Sequence, residues 1–240
     1  MSSIKNSLDK LPVRNGFRLR GHQMTRLEAF SDSAFAFAMT MLVISVGNIP
    51  NSYAELITAL KGIPTFTACF ASIMAFWIAH RSWSRRFGLE DFTSTALSLL
   101  LIFIVLIYLY PLKIAFSAFF YWISTGWLPS NFRINNDIEM TGIFVIYGLG
   151  LAALSACMVL LNNRALKLKS DLQLNKYEIN KTKAAIAPWV LMTITGFTSA
   201  ILALLLPTKY GIFAGFVYFT LAVSMPVTTF LYNKKFKNLT

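Results

Sequence analysis

Three ionisable residues stand at the start of an apolar stretch, and their types and spacing make them the best candidates for chemistry in this chain. Arg26, Glu28 and Asp32 lie in the first two turns of a predicted helix, 26–48, which becomes apolar after Asp32. Ionisable groups are costly in hydrocarbon and usually face the interior of a helix bundle or a water-filled path. The stretch is therefore the candidate working element of the protein, and more than a membrane anchor.

The sequence offers little support for enzyme chemistry. Its only histidines are His22 and His80, and neither belongs to an HExxH pattern or to a Cys/His cluster that would bind a metal. The GxxxxGKS loop of nucleotide-binding proteins and the GxSxG pattern of hydrolases are absent. The TVGYG filter of ordinary potassium channels and the arginine repeats of voltage sensors are absent too. We therefore expect no enzyme activity and no cofactor.

Composition predicts a membrane protein. Hydrophobic residues make up 56% of the chain and charged residues 13%, whereas about 25% of residues are charged in ordinary globular domains. Several apolar runs approach the roughly 20 residues that cross a bilayer as a helix, and they lack the alternation of barrel strands. Cys69 and Cys157 fall inside these runs, so a disulfide framework is not indicated. The predicted fold class is all-α, a polytopic membrane protein.

Six transmembrane helices are expected from the apolar runs. Their predicted bounds are about 26–48, 55–79, 93–115, 138–161, 185–206 and 210–232. The predicted organisation is a basic cytoplasmic segment, a six-helix transmembrane domain and a cytoplasmic tail, at 1–25, 26–232 and 233–240 respectively.

The distribution of basic residues predicts the orientation. If the N-terminus is inside, 18 of the 22 Lys and Arg residues fall on the inner side, and the four outside are Lys61, Lys113, Arg133 and Lys209. Lys and Arg are enriched in cytoplasmic loops, so both termini are predicted to be cytoplasmic. The net charge of +12 has the same explanation, and nucleic acid is not an expected partner.

The prolines and the loops carry weaker expectations. Pro64 and Pro226 are expected to kink the second and sixth spans, and Pro188 is expected in the first turn of the fifth. The inner loop 162–183 alternates leucines with charges, which fits either a helical extension of the fourth span or an amphipathic surface segment. The aromatic-rich outer loop 116–137 suits the membrane interface.

Two stripes run along the first span beyond its charged turns. Residues three and four apart share a helix face. One stripe consists of Ser33, Phe37, Thr40, Met41 and Ile44. Taken alone, such a stripe is more often part of a core, but several copies meeting at an axis would make a narrow hydrophobic path that gates by dewetting. The other stripe, Ala34 and Ala38, allows a neighbouring backbone to approach closely.

The charged start of the span resembles a family signature. The pattern RxxxFSD resembles that of the transmembrane protein 175 family, the lysosomal potassium-leak channels and their prokaryotic relatives. Its residues here are Arg26, Phe30, Ser31 and Asp32. The pattern opens the first of six spans, as in the family, and the following FAFAMTMLV is also similar to family members. At the end of the second span, Trp77 and His80 resemble the family's paired Trp and His.

The resemblance implies a potassium-permeable cation channel of the prokaryotic cell (inner) membrane. Prokaryotic members are homotetramers whose first helices line a central path. The apolar constriction, a hydrophobic gate, would consist of Phe37, Met41 and Ile44. Thr40 would form a hydroxyl layer with a weak preference for potassium and a potassium ion near it. The alternative is that the Thr40 hydroxyl bonds back to the Ala36 carbonyl oxygen and never contacts an ion. Family members usually have Ile or Leu in place of Phe37, so the narrowest point is either Phe37 itself or the Met41 and Ile44 layers.

Asp32 has two interpretations. Four carboxylates near the inner mouth would attract cations, but a structural hydrogen-bond acceptor fits a motif that groups Arg, Ser and Asp. Six residues separate Arg26 from Asp32, which is not a same-face spacing, so each is expected to pair with another element. We favour the structural interpretation, in which a network ties the first span to the second. Its predicted members are Arg26, Phe30, Ser31, Asp32, Trp77 and His80.

Two other functions remain open at this point. One is a proton-permeable channel or a proton-coupled secondary transporter, although no pair of broken helices is evident and buried acids are almost confined to the first span. The other is a structural or lipid-interacting protein, which the basic loops alone would fit. The expected partners are potassium and other monovalent cations, membrane lipid, and further copies of this chain.

Overall fold

The structure, a computed structural model, describes residues 11–21, 23–45, 49–130, 132, 134–207, 210–211 and 213–237, with side chains as far as residue 228. Within these residues the chain forms one two-stranded hairpin and eight helices. The strands are β1 (Val13–Arg14) and β2 (Phe17–Arg18). The helices are α1 (Arg26–Ile44), α2 (Tyr53–Lys61), α3 (Ile63–Phe87), α4 (Phe92–Ile123), α5 (Asp137–Lys167), α6 (Lys176–Leu205), α7 (Phe213–Phe216) and α8 (Phe219–Lys237).

Some sequence predictions fall outside the described part of the chain. These are the end of the first span at 46–48, the single residues His22, Arg133 and Lys209, and the segments 1–10 and 238–240.

Five helical segments are long and apolar enough to cross a membrane. They are α1, the pair α2–α3 (Tyr53–Phe87), α4, α5 and α6. This confirms a predominantly helical chain with several apolar spans. α4 and α5 continue past their predicted ends, to Ile123 and Lys167, and α6 begins at Lys176 instead of near residue 185. Asn136 caps α5, and Asn175 forms a capping box with Glu178 at the start of α6.

The sixth predicted span differs from the other five. The prediction was one helix at 210–232, but the described chain has α7 and α8 with a break at Val217 and Tyr218. The apolar helical stretch there, Phe213–Thr228, is shorter than the five long ones. The prediction of one continuous helix is therefore wrong, and a sixth crossing stays a prediction.

The prolines of the second and fifth spans differ in how they match the prediction. Pro64 lies in the first turn of α3, directly after a break at Gly62 that separates α2 from α3. Pro188 lies inside α6, because the capping box starts that helix at Lys176 and not near residue 185. The prediction for Pro188 is therefore wrong.

The inner loop is mostly helical. α5 continues to Lys167 and α6 begins at Lys176, so the helical extension is the alternative that the structure favours. Between the two helices, Leu172 and Leu174 are partly buried against the core. The outer loop is shorter than predicted, since α4 continues to Ile123.

Small residues allow α5 and α6 to pack closely along their length. A Cβ atom on Gly196 would lie 2.5 Å from the carbonyl oxygen of Gly148, and one on Gly148 would lie 2.6 Å from the carbonyl oxygen of Gly196. Ala152 and Ala200 continue the same seam. This pair, with α3 and α4, forms the body of the bundle against which α1 packs. Cys69 and Cys157 are both buried in it as free thiols.

Candidate functional site

Helix α1 has one buried face and one exposed face. The buried face packs against α3 and α4 and carries Glu28, Ser31, Phe35, Ala38 and Leu42, spaced three and four residues apart. Side chains on the opposite side of the helix, Ser33, Phe37, Thr40 and Ile44, are exposed in the single chain. The predicted stripe is therefore the side of α1 that its own bundle leaves uncovered.

The predicted constriction residues lie on or beside this exposed face. Phe37 is 56% exposed and Ile44 is 64% exposed, which is a large apolar surface for side chains in the middle and last turn of a helix. Met41 is half-buried and packs partly against the core. Phe37 and Ile44 thus point away from the bundle, whereas Met41 lies at the edge of the exposed face.

Thr40 is the polar residue midway along the exposed face. Its Oγ1 donates a hydrogen bond to the Ala36 carbonyl oxygen at 3.1 Å, the alternative foreseen from the sequence. That bond uses the hydroxyl hydrogen and leaves the oxygen lone pairs free. Ser33 makes the same type of bond to Ala29 at 2.9 Å. Both hydroxyl groups are thus held against the helix with their oxygen atoms still able to accept.

Asp32 is joined to the second apolar segment by a short hydrogen bond. The indole nitrogen of Trp77 donates to Asp32 Oδ1 at 2.7 Å, which links α1 to α3. The Arg81 guanidinium carbon lies 5.1 Å from the centre of the Trp77 ring, so a cation also faces that indole. Among the predicted network residues, Asp32 and Trp77 are the pair that makes a direct contact between the two spans.

His80 has its hydrogen-bond partner on α4. Its Nε2 lies 3.0 Å from Ser98 Oγ, so it connects α3 to α4 instead of bonding Asp32. The ring is buried between Phe35, at 6.5 Å between ring centres, and Trp83, at 5.9 Å. His80 therefore belongs to the surface of α3 and α4 on which α1 packs, and it makes no hydrogen bond to the RxxxFSD residues.

The remaining signature residues stay apart from this contact. Ser31 is buried, but its hydroxyl donates to the Leu27 carbonyl oxygen of its own helix at 2.7 Å. Arg26 and Phe30 are exposed, and in the described part of the chain neither side chain bonds to Asp32, Trp77 or His80. The six predicted network residues thus do not form one connected network within a single chain, because the helix turns Arg26 and Phe30 away from α3.

Four ion pairs that the sequence did not reveal, formed by three carboxylates, lie at one end of the bundle. We call this the basic end; it consists of the start of α1, the α3–α4 turn and the α5–α6 turn. Glu28, only 2% exposed, accepts from Arg85 Nε at 2.8 Å, which ties α1 to the end of α3. Arg164 pairs with Asp91 at 2.9 Å, and Glu178 pairs with two arginines described below.

Asp91 lies in the α3–α4 turn, outside the apolar helices. Its side chain caps α4 by accepting from Ser94. Partial burial raises the pKa of its carboxyl group, but hydrogen bonds from Ser94 and Arg164 outweigh this and lower the pKa below its ordinary value. The ionised carboxylate therefore stabilises the turn.

The described residues offer no set of ligands for a tightly held metal ion, since none of them form a group of three or more His, Cys, Asp or Glu side chains. From Ser33 to Ile44, the exposed face of α1 presents hydroxyl oxygens and apolar side chains. Such a surface suits brief contact with a weakly bound ion or water, and not catalysis.

Comparison with known proteins extends over nearly the whole chain. Residues 26–111 match the protein family described as Endosomal/lysosomal potassium channel TMEM175. A protein of Marivirga tractuosa named Potassium channel is 34% identical over 233 residues, which is 93% of this chain and 93% of that protein. A crystal structure of a threonine-to-alanine variant of the potassium channel MtTMEM175, in complex with a nanobody–MBP fusion protein, is also similar. The match covers 93% of this chain and 100% of the MtTMEM175 chain, with a TM-score of 0.80 and 32% sequence identity.

Proposed function

This chain belongs to the TMEM175 family of potassium channels, and we propose that it is a potassium-permeable cation channel of weak selectivity. Family membership confirms the resemblance carried by the RxxxFSD pattern. It also confirms that the protein is not an enzyme, because the family and its relatives are potassium channels. With its apolar helices, the chain is an integral membrane protein.

In this proposal, ions pass along an axis lined by α1. The observation that carries it is the exposed face of α1, where Ser33, Phe37, Thr40 and Ile44 remain uncovered although the opposite face is fully packed. Hydroxyl groups alternate with apolar side chains on this face, which suits a path for ions better than contact with lipid alone. One helix per subunit cannot enclose a pore, so an oligomer is required. We propose the homotetramer that the family resemblance implies.

The gate is a hydrophobic constriction. Four copies of Phe37 and Ile44 around an axis would bring bulky apolar groups together, and such a ring excludes water until it widens. Because Met41 is turned toward the core, we propose Phe37 and Ile44 as the main layers and Met41 as a minor one. Phe37 differs from the usual family residue at this position, because a phenyl ring replaces the side chain of Ile or Leu.

Selectivity in this proposal comes from Thr40. Four hydroxyl oxygens replace part of the hydration shell of a potassium ion near this layer, but their field is much weaker than that of stacked backbone carbonyls. A modest preference for potassium over sodium follows. The hydrogen bond from Thr40 to Ala36 is compatible with this role, because it orients the hydroxyl while leaving its lone pairs for an ion.

We further propose that Asp32 is an anchor of the pore helix and not an ion site. The 2.7 Å bond from Trp77 occupies Oδ1 and directs the side chain toward α3. Arg26 and Phe30, which are exposed in the single chain, are then available for contacts between subunits.

The proposed topology has six crossings, with α7 and α8 together making the sixth and both termini in the cytoplasm. The ion pairs of the basic end support a common side for the start of α1, the α3–α4 turn and the α5–α6 turn. The basic residues of the sequence place that side inside. We propose the prokaryotic cell membrane as the location, with segment 1–25 and tail 233–240 in the cytoplasm and 26–232 as the channel domain.

Ion flux into liposomes tests the function. A channel passes potassium down its electrochemical gradient without any coupling ion, so uptake occurs in sodium-free solutions with equal pH on both sides of the membrane. A proton-coupled transporter would accumulate potassium only when a proton gradient is imposed, and a structural protein would pass no ion. Either of these two results would contradict the proposal.

A further inference from the structure

A short arm precedes the candidate pore helix. It consists of residues 11–21, in which β1 pairs with β2 so that Val13 lies opposite Arg18 and Arg14 opposite Phe17. The turn residues Asn15 and Gly16 have positive φ angles of 51° and 74°, the combination that suits a two-residue hairpin turn. The arm is thus a defined element that ends four residues before α1 begins.

Two arginines of the arm enclose a buried carboxylate at the start of α6. Arg18 donates to Glu178 Oε1 from its backbone nitrogen at 2.9 Å and from Nε at 3.1 Å, and Nη2 donates to Oε2 at 2.8 Å. Arg20 adds bonds from Nη1 at 3.2 Å and Nη2 at 3.0 Å. Glu178 is completely buried. We call these three residues the Glu178 cluster.

Both arginines also donate to backbone carbonyl oxygens of the α5–α6 turn. Arg20 Nε donates to the Leu172 carbonyl oxygen at 2.8 Å, and Arg18 Nη2 donates to the Gln173 carbonyl oxygen at 2.7 Å. A buried carboxylate that faces two cations is costly to leave without them, so these contacts depend on one another. The arm is therefore fastened firmly to the start of α6.

The other side of the arm is packed on the end of α3. Phe17 is only 1% exposed and meets Phe87 edge-on, with 5.6 Å between ring centres. The Arg86 guanidinium carbon lies 5.4 Å from the Phe17 ring centre. Gly21 donates to the Arg85 carbonyl oxygen at 3.1 Å, and a Cβ atom there would lie 2.5 Å from the Ser84 carbonyl oxygen. The fit admits no side chain at residue 21.

The same end of α3 holds the first turns of α1. The Arg85 side chain bonds to Glu28. About two turns earlier in the same helix, Trp77 bonds to Asp32. The arm, the end of α3 and the start of α1 are thus linked by successive contacts. The Glu178 cluster attaches this unit to α6 at the basic end.

We propose that Glu178 is a positioning residue for the pore. Through Arg18 and Arg20 it restrains the arm, and through the arm the basic end of α1, in the arrangement that keeps the constriction narrow. Widening the constriction requires α1 to shift against its neighbours, and the cluster opposes that shift. Weakening the cluster therefore favours the wider arrangement and raises potassium flux. The inference rests on the proposed function, since it requires α1 to line the path.

The test compares potassium flux through the full-length protein in liposomes. Glu178→Gln removes the charge at nearly constant shape, and the double variant Arg18→Lys with Arg20→Lys keeps the charges but removes the planar donors. We expect each to raise flux about fivefold, the lower end of ordinary coupling between distant sites. Glu139→Gln is the matched control. Glu139 holds the same position in the first turn of α5 as Glu178 in α6, and its backbone nitrogen likewise donates to a capping asparagine, Asn136. It is exposed and bonds no arginine of the described residues, so the flux of this variant should equal that of the unmodified chain.

A cross-link separates positioning from a general folding defect. Lys181 Nζ lies 2.7 Å from the Asn15 carbonyl oxygen, so cysteines at these two positions can be joined by a flexible bismaleimide. The native cysteines, Cys69 and Cys157, are buried. Joining the arm to α6 in this way should return the flux of Glu178→Gln to the unmodified level. A defect of folding would not be reversed by a cross-link at the surface.

The outcomes are distinguishable. Unchanged or reduced flux in both cluster variants would overturn the inference, as would an increase that the cross-link fails to reverse. If the cluster variants do not assemble, cross-linking Asn15→Cys with Lys181→Cys in the otherwise unmodified chain decides. Lower flux is then expected, and unchanged flux contradicts the role. Failure of the proposed function itself would appear as no potassium flux from the unmodified chain.

Discussion

The contact between Asp32 and Trp77 allows a quantitative test of how α1 is anchored. Trp77→Phe keeps most of the aromatic packing but removes the N–H group that donates to Asp32 at 2.7 Å. A hydrogen bond to a charged group contributes about 1.5–3 kcal/mol to stability. Asp32 is only half-buried, so the lower end of that range applies. We expect the variant to lose about 1.5 kcal/mol, or about tenfold in the unfolding equilibrium.

A double-mutant cycle isolates this interaction. Circular dichroism monitors unfolding by SDS in mixed micelles and gives the free energies of the unmodified chain, Trp77→Phe, Asp32→Ala and the double variant. The coupling energy should be about 1.5 kcal/mol, because each single change removes the same bond. Trp122→Phe is the control: this tryptophan is 57% exposed, and no hydrogen bond of its side chain is present among the described residues. A coupling energy below about 0.5 kcal/mol, or an equal loss in the control, would refute the anchoring role.

Three further predictions concern the gate, the helix seam and the basic end. Phe37→Ala should raise potassium flux into liposomes, since it removes a bulky apolar layer, whereas Phe103→Ala, an exposed phenylalanine on α4, should leave the flux unchanged. Gly196→Ala should lower the free energy of unfolding by about 1–3 kcal/mol, because its Cβ would meet the Gly148 backbone, while Gly142→Ala, with open space around it, should raise it by up to about 1 kcal/mol. The low pKa of Asp91 means that its contribution to stability is present above the unfolded pKa and is lost as the pH falls through the folded pKa. Melting temperature should therefore decline less in acid for Asp91→Asn than for the unmodified chain, and equal declines would contradict this.

The sequence predicted the main features of α1 because they depend on local spacing. A helical repeat of 3.6 residues places Phe37, Thr40 and Ile44 together, and the structure leaves that set uncovered while it buries Phe35 and Ala38. Spacing alone does not say which face meets the bundle, so the core interpretation remained open until the contacts with α3 and α4 were known.

The contacts between distant segments were beyond local patterns. Ser98 and Glu178 carry no sequence signal that identifies their partners, since His80 and Arg18 lie 18 and 160 residues away. The Asn15–Gly16 pair is a strong hairpin signal, but the flanking strands are only two residues long and lie in a basic, polar segment without an alternating apolar pattern. The error at Pro188 has a similar cause, because the capping residues Asn175 and Glu178 start α6 well before its apolar part.

The most direct test of the central claim is whether water-borne ions reach the exposed face of α1. Thr40→Cys is close to isosteric and places a thiol on that face, whereas Ala38→Cys places one on the fully buried face of the same helix. The native Cys69 and Cys157 are buried, so we expect them not to react with Cd²⁺ from solution. Cd²⁺, which binds thiolates, should block potassium flux through Thr40→Cys and leave Ala38→Cys and the unmodified chain unaffected. Unblocked flux through Thr40→Cys, or equal block at both positions, would contradict the account.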